Sequence, residues 1–370
     1  MTYPIAGYNS YMNYGHYQFN NTVAARNVTF TSQPDMVSLS TNNQVQDKKT
    51  GLSKNAKLGL GTLALVGIGT AAYILSRGKV GSKSAKQLAE YVEFKPAKTV
   101  QEATKFAKEK LGVHYNGIED VEVVNFVNEW LTGVHNSSKI KDFKAYPKFV
   151  STDYNILDGN TLFGIIDEVI KREGQQGYLL TINLNNLKNI PKLLTEIKTN
   201  PHGIWQVNSA GQICLKGEKY NTAEINELVN KINNYDVSTA SLKYSMDLYE
   251  QVMGLVTSPI GPDGKVVLKK LSMFNCLNHE LGHMKHYING VHPADMDKIA
   301  VYRRLNKDIP TVVKDFHKPE VKQIAAKVSR YATESPLEFV AETYAQLKDG
   351  VVFSNDVMEL YKKYCGPALS

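Results

Sequence analysis

The stretch at residues 275–288 contains the pattern His-Glu-x-x-His, with His279, Glu280 and His283 at its fixed positions. Residues four apart lie on one face of an α-helix, so the two imidazoles can point to a common centre. Apolar residues recur at intervals of three and four on the opposite face, at Phe274, Leu277, Leu281, Met284 and Ile288. This periodicity predicts a helix that packs one face into a core and turns two histidines toward a cleft.

Imidazole nitrogens in this arrangement are ligands that zinc takes at about 2.0–2.1 Å. Glu280 directly follows the first histidine, so its carboxylate can reach a water at the metal and act as general base, as in a zinc peptidase. The alternative is a buried amphipathic helix with two hydrogen-bonded histidines, because so short a pattern also arises by chance. The pattern favours one zinc ion per chain, held by His279 and His283.

A catalytic zinc site usually has three protein ligands, and a later segment offers the third. A Ser-Pro pair at Ser335 is typical of a helix start, which puts Glu338 and Glu342 one turn apart on one face. One carboxylate could bind zinc while the other holds a ligating imidazole from outside. Ser335 and Glu338 also form a capping box, so Glu338 could instead cap its own helix. Glu334 and Glu342 remain alternative ligands.

The two motifs together resemble the gluzincin peptidases, in which a glutamate on a later helix completes His-Glu-x-x-His. More closely, Tyr331 followed by Glu338-Phe-Val-Ala-Glu342 is similar to the catalytic domain of anthrax lethal factor and its relatives. Those relatives include clostridial Pro-Pro endopeptidases and peptidase-like domains attached to phage head proteins. The likeness covers residues 265–365. It implies that Glu338 binds zinc, that Tyr331 assists the transition state, and that Glu342 supports the site from outside the ligand set.

The expected activity is therefore that of a zinc-dependent endopeptidase with a peptide or protein substrate. Glu280 would be the general base, and Tyr331 would donate a hydrogen bond to the oxyanion, with His286 and His292 as alternative donors. A second hypothesis is an interaction or structural protein with an inactive or self-processing, phage-derived peptidase-like domain. The joint presence of every expected site residue favours the enzyme.

Peptidases of this type usually hold substrate as an added strand on an exposed sheet edge. Two predicted strands, at 178–184 and 265–268, are the expected candidates for that edge. Each is rich in the β-branched and apolar residues that strands favour.

Residues 58–76 carry no charge, and their number is about that needed to cross a bilayer core. With basic residues on both sides, the run predicts a single transmembrane helix, hence a single-pass membrane protein with lipid as a partner of 58–76. Because both flanks are basic, the side of the peptidase domain stays open. The alternative is a Gly-rich apolar helix packed inside the protein or against a second copy. Residues 1–57 predict a disordered segment ending in a basic collar, and 77–98 a juxtamembrane linker.

The remaining chain predicts an α+β fold, a mainly helical zincin-like metallopeptidase domain with a small sheet. Its expected parts are 99–255, the N-terminal part of the peptidase region, and 256–370, the zinc-binding catalytic part. The net charge of +7 comes without a nucleic-acid motif, so no nucleic-acid partner is expected. Three distant cysteines imply no disulfide framework. Helices are predicted at 99–112, 118–132, 160–173, 189–198, 222–234, 239–255, 273–289, 294–305, 318–330, 336–348 and 355–364, and a hairpin joins 205–207 to 213–215.

Overall fold

The computed structural model describes residues 91–138, 144–152, 161–166, 169–172, 174–290 and 309–369. The predicted disordered segment 1–57, the predicted span 58–76, most of the linker 77–98 and the predicted helix 294–305 lie outside these residues. The described helices are α1 (Val100–Phe106, continued by one π-helical turn, Ala107–Leu111), α2 (Val121–Ser137), α3 (Leu184–Thr199), α4 (Ala223–Asn233), α5 (Leu242–Val256), α6 (Asn275–Gly290), α7 (Ile309–Phe316), α8 (Pro319–Ala325), α9 (Pro336–Lys348) and α10 (Asn355–Lys363). The strands are β1 (His114–Asn116), β2 (Phe149–Ser151), β3 (Phe163–Ile165), β4 (Ile170–Arg172), β5 (Gln175–Gly177), β6 (Leu179–Ile182), β7 (Trp205–Val207) and β8 (Ile213–Leu215).

Many of the helices begin where a short polar side chain accepts a hydrogen bond from the first turn. The residues that do this are Thr99 for α1, Asp120 for α2, Asn183 for α3, Thr222 for α4, Ser241 for α5 and Ser335 for α9. These caps are visible in the sequence, and they explain why most predicted helix starts lie close to the observed ones.

The main sheet has four short strands in the order β1-β2-β6-β3. β1, β2 and β6 are parallel, and β3 runs antiparallel to β6. The hairpins β4-β5 and β7-β8 form two further small sheets among the described residues. The predicted hairpin at 205–207 and 213–215 is present as β7-β8.

The prediction of the exposed sheet edge was wrong. The strand expected at 178–184 is β6, which lies in the interior of the sheet between β2 and β3. The segment 265–268 forms only an isolated bridge, between Val266 and Ile260. The edge next to β6 is instead β3, within 160–173, where the spacing of apolar residues predicts a helix. β3 is buried on both faces, so its sequence lacks the alternation that marks a half-exposed strand.

The predicted fold class was also wrong in the form given above. The described residues are a mixture of helices and several small sheets, where a mainly helical domain with one small sheet was predicted. In the part of the chain that the structure describes, none of the helices combines the length and the apolar character that crossing a bilayer requires. Several of the strands are only three residues long, and such short strands leave little periodic signal in the sequence.

Helices α6 and α9 pack closely against each other, and β3 lies beside α6. The apolar face of α6 supplies Leu277, Leu281 and Met284 to the core, each fully buried. Close approach to α9 requires a residue without a side chain at Gly282, where a Cβ atom would lie 3.0 Å from Cα of Ala341. The contact between Gly282 and Ala341 thus sets how closely α6 and α9, which carry the predicted site, approach each other.

Candidate metal centre

The three predicted ligands lie together between α6 and α9. Nε2 of His279 lies 3.0 Å from Nε2 of His283, and Oε2 of Glu338 lies 3.2 Å from each of these nitrogens. Both histidines are buried and Glu338 is mostly buried. One ligand atom from each residue thus converges on a single point.

These distances match the spacing that zinc imposes on its ligands. Atoms that lie about 2.0–2.1 Å from a tetrahedral zinc lie about 3.3 Å from one another. Oε2 of Glu338 is buried, and within the described residues no hydrogen bond of acceptable geometry satisfies it. Three lone-pair atoms that face one another repel unless a cation or protons lie between them, so the donor set fits a zinc ion.

Glu342 lies one turn after Glu338 on α9 and reaches the other nitrogen of the first histidine. Its Oε1 lies 2.9 Å from Nδ1 of His279. A carboxylate at Nδ1 favours the tautomer with its proton there, which leaves the lone pair of Nε2 directed at the metal position. Glu342 therefore lies outside the converging group, with its carboxylate on the far side of the His279 ring.

The capping alternative for Glu338 is only half realised. Oγ of Ser335 accepts a hydrogen bond from the Glu338 N–H at 3.2 Å, so Ser335 caps α9. The Glu338 carboxylate, however, turns to the histidines. Glu334 is exposed and does not belong to the converging group.

Charge within the cluster follows from this packing. Burial opposes a charge on His279, but the carboxylates of Glu338 and Glu342 outweigh it and raise the pKa of His279 well above its usual value. Burial would raise the pKa of Glu338, yet the two imidazoles lower it strongly. The carboxylates therefore stabilise positive charge at this point, whether it is a proton or a metal ion.

The predicted general base lies beside the same point. Glu280 is buried, and its Oε2 accepts a hydrogen bond of 2.9 Å from the backbone N–H of Ile165 in β3. Burial raises the pKa of Glu280 above its ordinary value. A carboxylate with a raised pKa is a better proton acceptor at neutral pH, which suits a general base.

Tyr331 lies in a short 3₁₀ turn before α9, and its ring centre is 5.9 Å from that of His279. Burial raises the pKa of its hydroxyl, and the negative charges of Glu338 and Glu280 raise it further. The hydroxyl therefore keeps its proton and can donate it in a hydrogen bond. His286 does not compete for this role, because its Nε2 lies 2.8 Å from the carbonyl oxygen of Tyr364. His292 lies outside the described residues.

The edge of β3 faces the site helix. Ile166 donates its N–H to the carbonyl of Leu179 at 2.9 Å, which shows that the even-numbered residues bond to β6. Backbone groups alternate along an antiparallel strand, so those of Phe163 and Ile165 point to the outer edge. The Ile165 N–H meets Glu280 there. The sequence does not indicate this contact, because almost every residue type carries a backbone N–H and none marks the one that Glu280 accepts from.

Comparison with protein-family models, with curated proteins and with solved structures finds no match to this chain. The chemistry of the site therefore rests on its own residues.

Proposed function

We propose that this chain is a zinc-dependent peptidase that hydrolyses peptide bonds, with His279, His283 and Glu338 as its metal ligands. The observation that carries the proposal is the convergence of the two Nε2 atoms and the Glu338 Oε2 at mutual distances of 3.0–3.2 Å. Glu280 beside this point supplies the general base. A helix whose histidines served packing alone would have no reason to bring three lone-pair atoms together in a buried place.

Zinc held there would polarise the scissile carbonyl and lower the pKa of a water to about 7. Glu280 takes a proton from the attacking water and passes it to the leaving amine. Tyr331 donates a hydrogen bond to the oxygen that becomes negative in the tetrahedral intermediate. Glu342 holds His279 in the orientation and tautomer that the ligand role needs.

The outer edge of β3 is the proposed binding site for an extended substrate strand. It takes the place of the two edges expected from the sequence. An extended peptide placed along it would meet backbone groups of Phe163 and the Ile165 carbonyl, and it would pass close to Glu280. Peptide recognition by a strand edge depends on the backbone, so the substrate class is an extended peptide segment.

The test measures metal content and peptide cleavage for the full chain beside three variants. The wild type is expected to bind one zinc per chain and to cleave a peptide library. Glu280→Gln should keep the zinc and lose about 10²–10⁴-fold in kcat, the usual contribution of a general base. Glu338→Ala should lose both zinc affinity and activity.

Glu334→Ala is the matched control, because Glu334 is an exposed glutamate four residues from Glu338 and outside the cluster. It should leave zinc binding and activity unchanged. Failure of the wild type to bind zinc would refute the proposal. Zinc binding without cleavage of any peptide, and without self-cleavage in an intact-mass measurement of the chain, would refute the peptidase activity.

A further inference from the structure

Lys269 is a buried lysine close behind the metal centre. The residue belongs to the segment between α5 and α6, and only 6% of its surface is exposed. Its Nζ donates hydrogen bonds to the carbonyl oxygens of Val328, at 2.5 Å, and Lys327, at 3.3 Å. Among the described residues no carboxylate lies within ion-pair distance of this ammonium. A buried cation without a carboxylate in direct ion-pair contact is costly, so its position calls for an explanation.

A short series of polar groups links this ammonium to the first histidine ligand. Gln346 on α9 donates from Nε2 to the same Val328 carbonyl, at 3.3 Å. The same Nε2 lies 3.5 Å from Oε2 of Glu342, whose other oxygen lies 2.9 Å from Nδ1 of His279. One carbonyl and one amide therefore separate the lysine from the carboxylate that orients a metal ligand.

The two charges also interact through space. Burial lowers the pKa of Lys269 to about 8, and the negative charge of Glu342 acts in the opposite direction. Because Lys269 is buried and Glu342 is mostly buried, their attraction is screened less than between surface charges. The backbone of Lys269 packs directly against Gly254 in α5, since a Cβ atom on Gly254 would lie 2.2 Å from the Lys269 carbonyl oxygen.

We propose that Lys269 is a positioning residue of the metal centre, which acts through Gln346 and Glu342 to hold His279 as a ligand. This inference rests on the proposed zinc function. The ammonium attracts the Glu342 carboxylate, and the hydrogen bonds that Lys269 and Gln346 share at the Val328 carbonyl hold that carboxylate directed at Nδ1 of His279. The competing explanation is purely structural, in which Lys269 only satisfies the carbonyls of Lys327 and Val328 after α8.

A double-mutant cycle separates the two explanations. Zinc dissociation constants are measured by chelator competition for the full-length wild type, Lys269→Met, Glu342→Gln and the double variant. Each single variant should weaken zinc binding about 10-fold or more, in the range typical of groups that support metal ligands. The double variant should bind no more weakly than Glu342→Gln alone, because the lysine would then have nothing to act on.

Lys348→Met is the matched control, because Lys348 is a partly buried lysine on α9 with Asp349, not Glu342, as the charge beside it. It should leave zinc affinity unchanged. If Lys269→Met does not fold, Lys269→Gln takes its place in the cycle, since glutamine keeps a donor without the charge.

Two results would overturn the inference while leaving the zinc peptidase intact. One is wild-type zinc affinity in the Lys269 variant. The other is a pair of losses that simply multiply in the double variant, which indicates independent roles. Failure of both Lys269 variants to fold would likewise assign the lysine to the fold alone. Absence of zinc binding by the wild type would instead refute the proposed function, and this inference with it.

Discussion

Acidic side chains are buried at two places along α6, and their surroundings differ in one respect. At the start of the helix, Glu250 accepts a hydrogen bond from the Cys276 N–H. Asp349 accepts one from the Ser272 N–H and another from Nδ2 of Asn275. Beside the next turn of α6, Glu338 of α9 faces the Nε2 atoms of His279 and His283. At the first place nitrogen–hydrogen donors meet the carboxylates, whereas at the second a carboxylate oxygen and two imidazole nitrogens converge on one point.

A structural carboxylate can thus be distinguished from a candidate ligand without any bound ion. Nitrogen–hydrogen donors satisfy the carboxylates of Glu250 and Asp349, so these groups are complete within the protein. The group of Glu338 and the two histidines is incomplete, because Oε2 of Glu338 has no hydrogen bond of acceptable geometry and converges with the two Nε2 atoms on one point. Burial and raised or lowered pKa values occur at both places, so neither property alone identifies a metal site.

The first prediction compares how zinc changes the free energy of unfolding when the candidate metal centre or the start of α6 is altered. Zinc at about a thousand times its dissociation constant should raise the free energy of unfolding of the wild type by about 4 kcal/mol. His283→Ala should abolish this increment, because it removes a proposed ligand. Asp349→Ala should lower the free energy of unfolding by about 1–3 kcal/mol with or without zinc, because it leaves two donors unsatisfied.

Urea unfolding of both variants, with zinc and with chelator, measures these values. The comparison breaks down if His283→Ala keeps the zinc increment. It also breaks down if Asp349→Ala loses the increment, since the start of α6 would then belong to the metal site.

The second prediction concerns Glu250 at the start of α6 and how it makes the free energy of unfolding depend on pH. Burial raises the pKa of Glu250 to about 8 from an ordinary value of 4.5. Below pH 4.5 the carboxyl is protonated in both the folded and unfolded chain and costs nothing. As the pH rises from 4.5 to 8 the unfolded chain ionises while the folded chain keeps the proton, so folding stability is lost across that window.

Glu250→Gln removes this loss and keeps an oxygen for the Cys276 N–H. The variant should therefore gain on the wild type by about 4 kcal/mol in free energy of unfolding between pH 4.5 and pH 8. Chelator is present throughout, so that zinc does not contribute. Parallel stability profiles for the two proteins over this range would show that Glu250 is ionised in the fold.

The helices were the most predictable parts of the molecule, and the candidate site lies on two of them. α6 and α9 carry periodic apolar faces, and the cap at Ser335 marks the start of α9. Because helical geometry then determines which residues share a face, the sequence already related His279 to His283 and Glu338 to Glu342. That the two pairs face each other is a tertiary fact, and only the resemblance to a peptidase family suggested it.

The sheet was predictable only in part. β6 and the hairpin β7-β8 have clear strand composition, but β3 is short and buried on both faces, so its apolar spacing suggested a helix. Order within the sheet depends on long-range pairing that no local pattern encodes. The same is true of Lys269, since nothing in its sequence neighbourhood shows that a lysine there is buried behind Glu342.

The smallest expected effect tests the helix crossing that brings the incomplete group together. In Gly282→Ala the new Cβ would lie 3.0 Å from Cα and 3.2 Å from the carbonyl oxygen of Ala341. Backbone atoms cannot move aside as a flexible side chain does, so α6 and α9 must separate slightly. We expect a loss of about 1–3 kcal/mol in free energy of unfolding and weaker zinc binding, because Glu338 moves away from the histidines.

Gly133→Ala is the control, because Gly133 lies within α2 and is exposed, and a Cβ atom added there would meet nothing within 4 Å. Alanine should stabilise that helix by roughly 0.5–1 kcal/mol and leave zinc affinity unchanged. Unfolding and zinc titrations of both variants give the contrast. Equal zinc affinity in Gly282→Ala and the wild type would mean that the ligand group tolerates a wider helix pair, and that the close crossing serves packing alone.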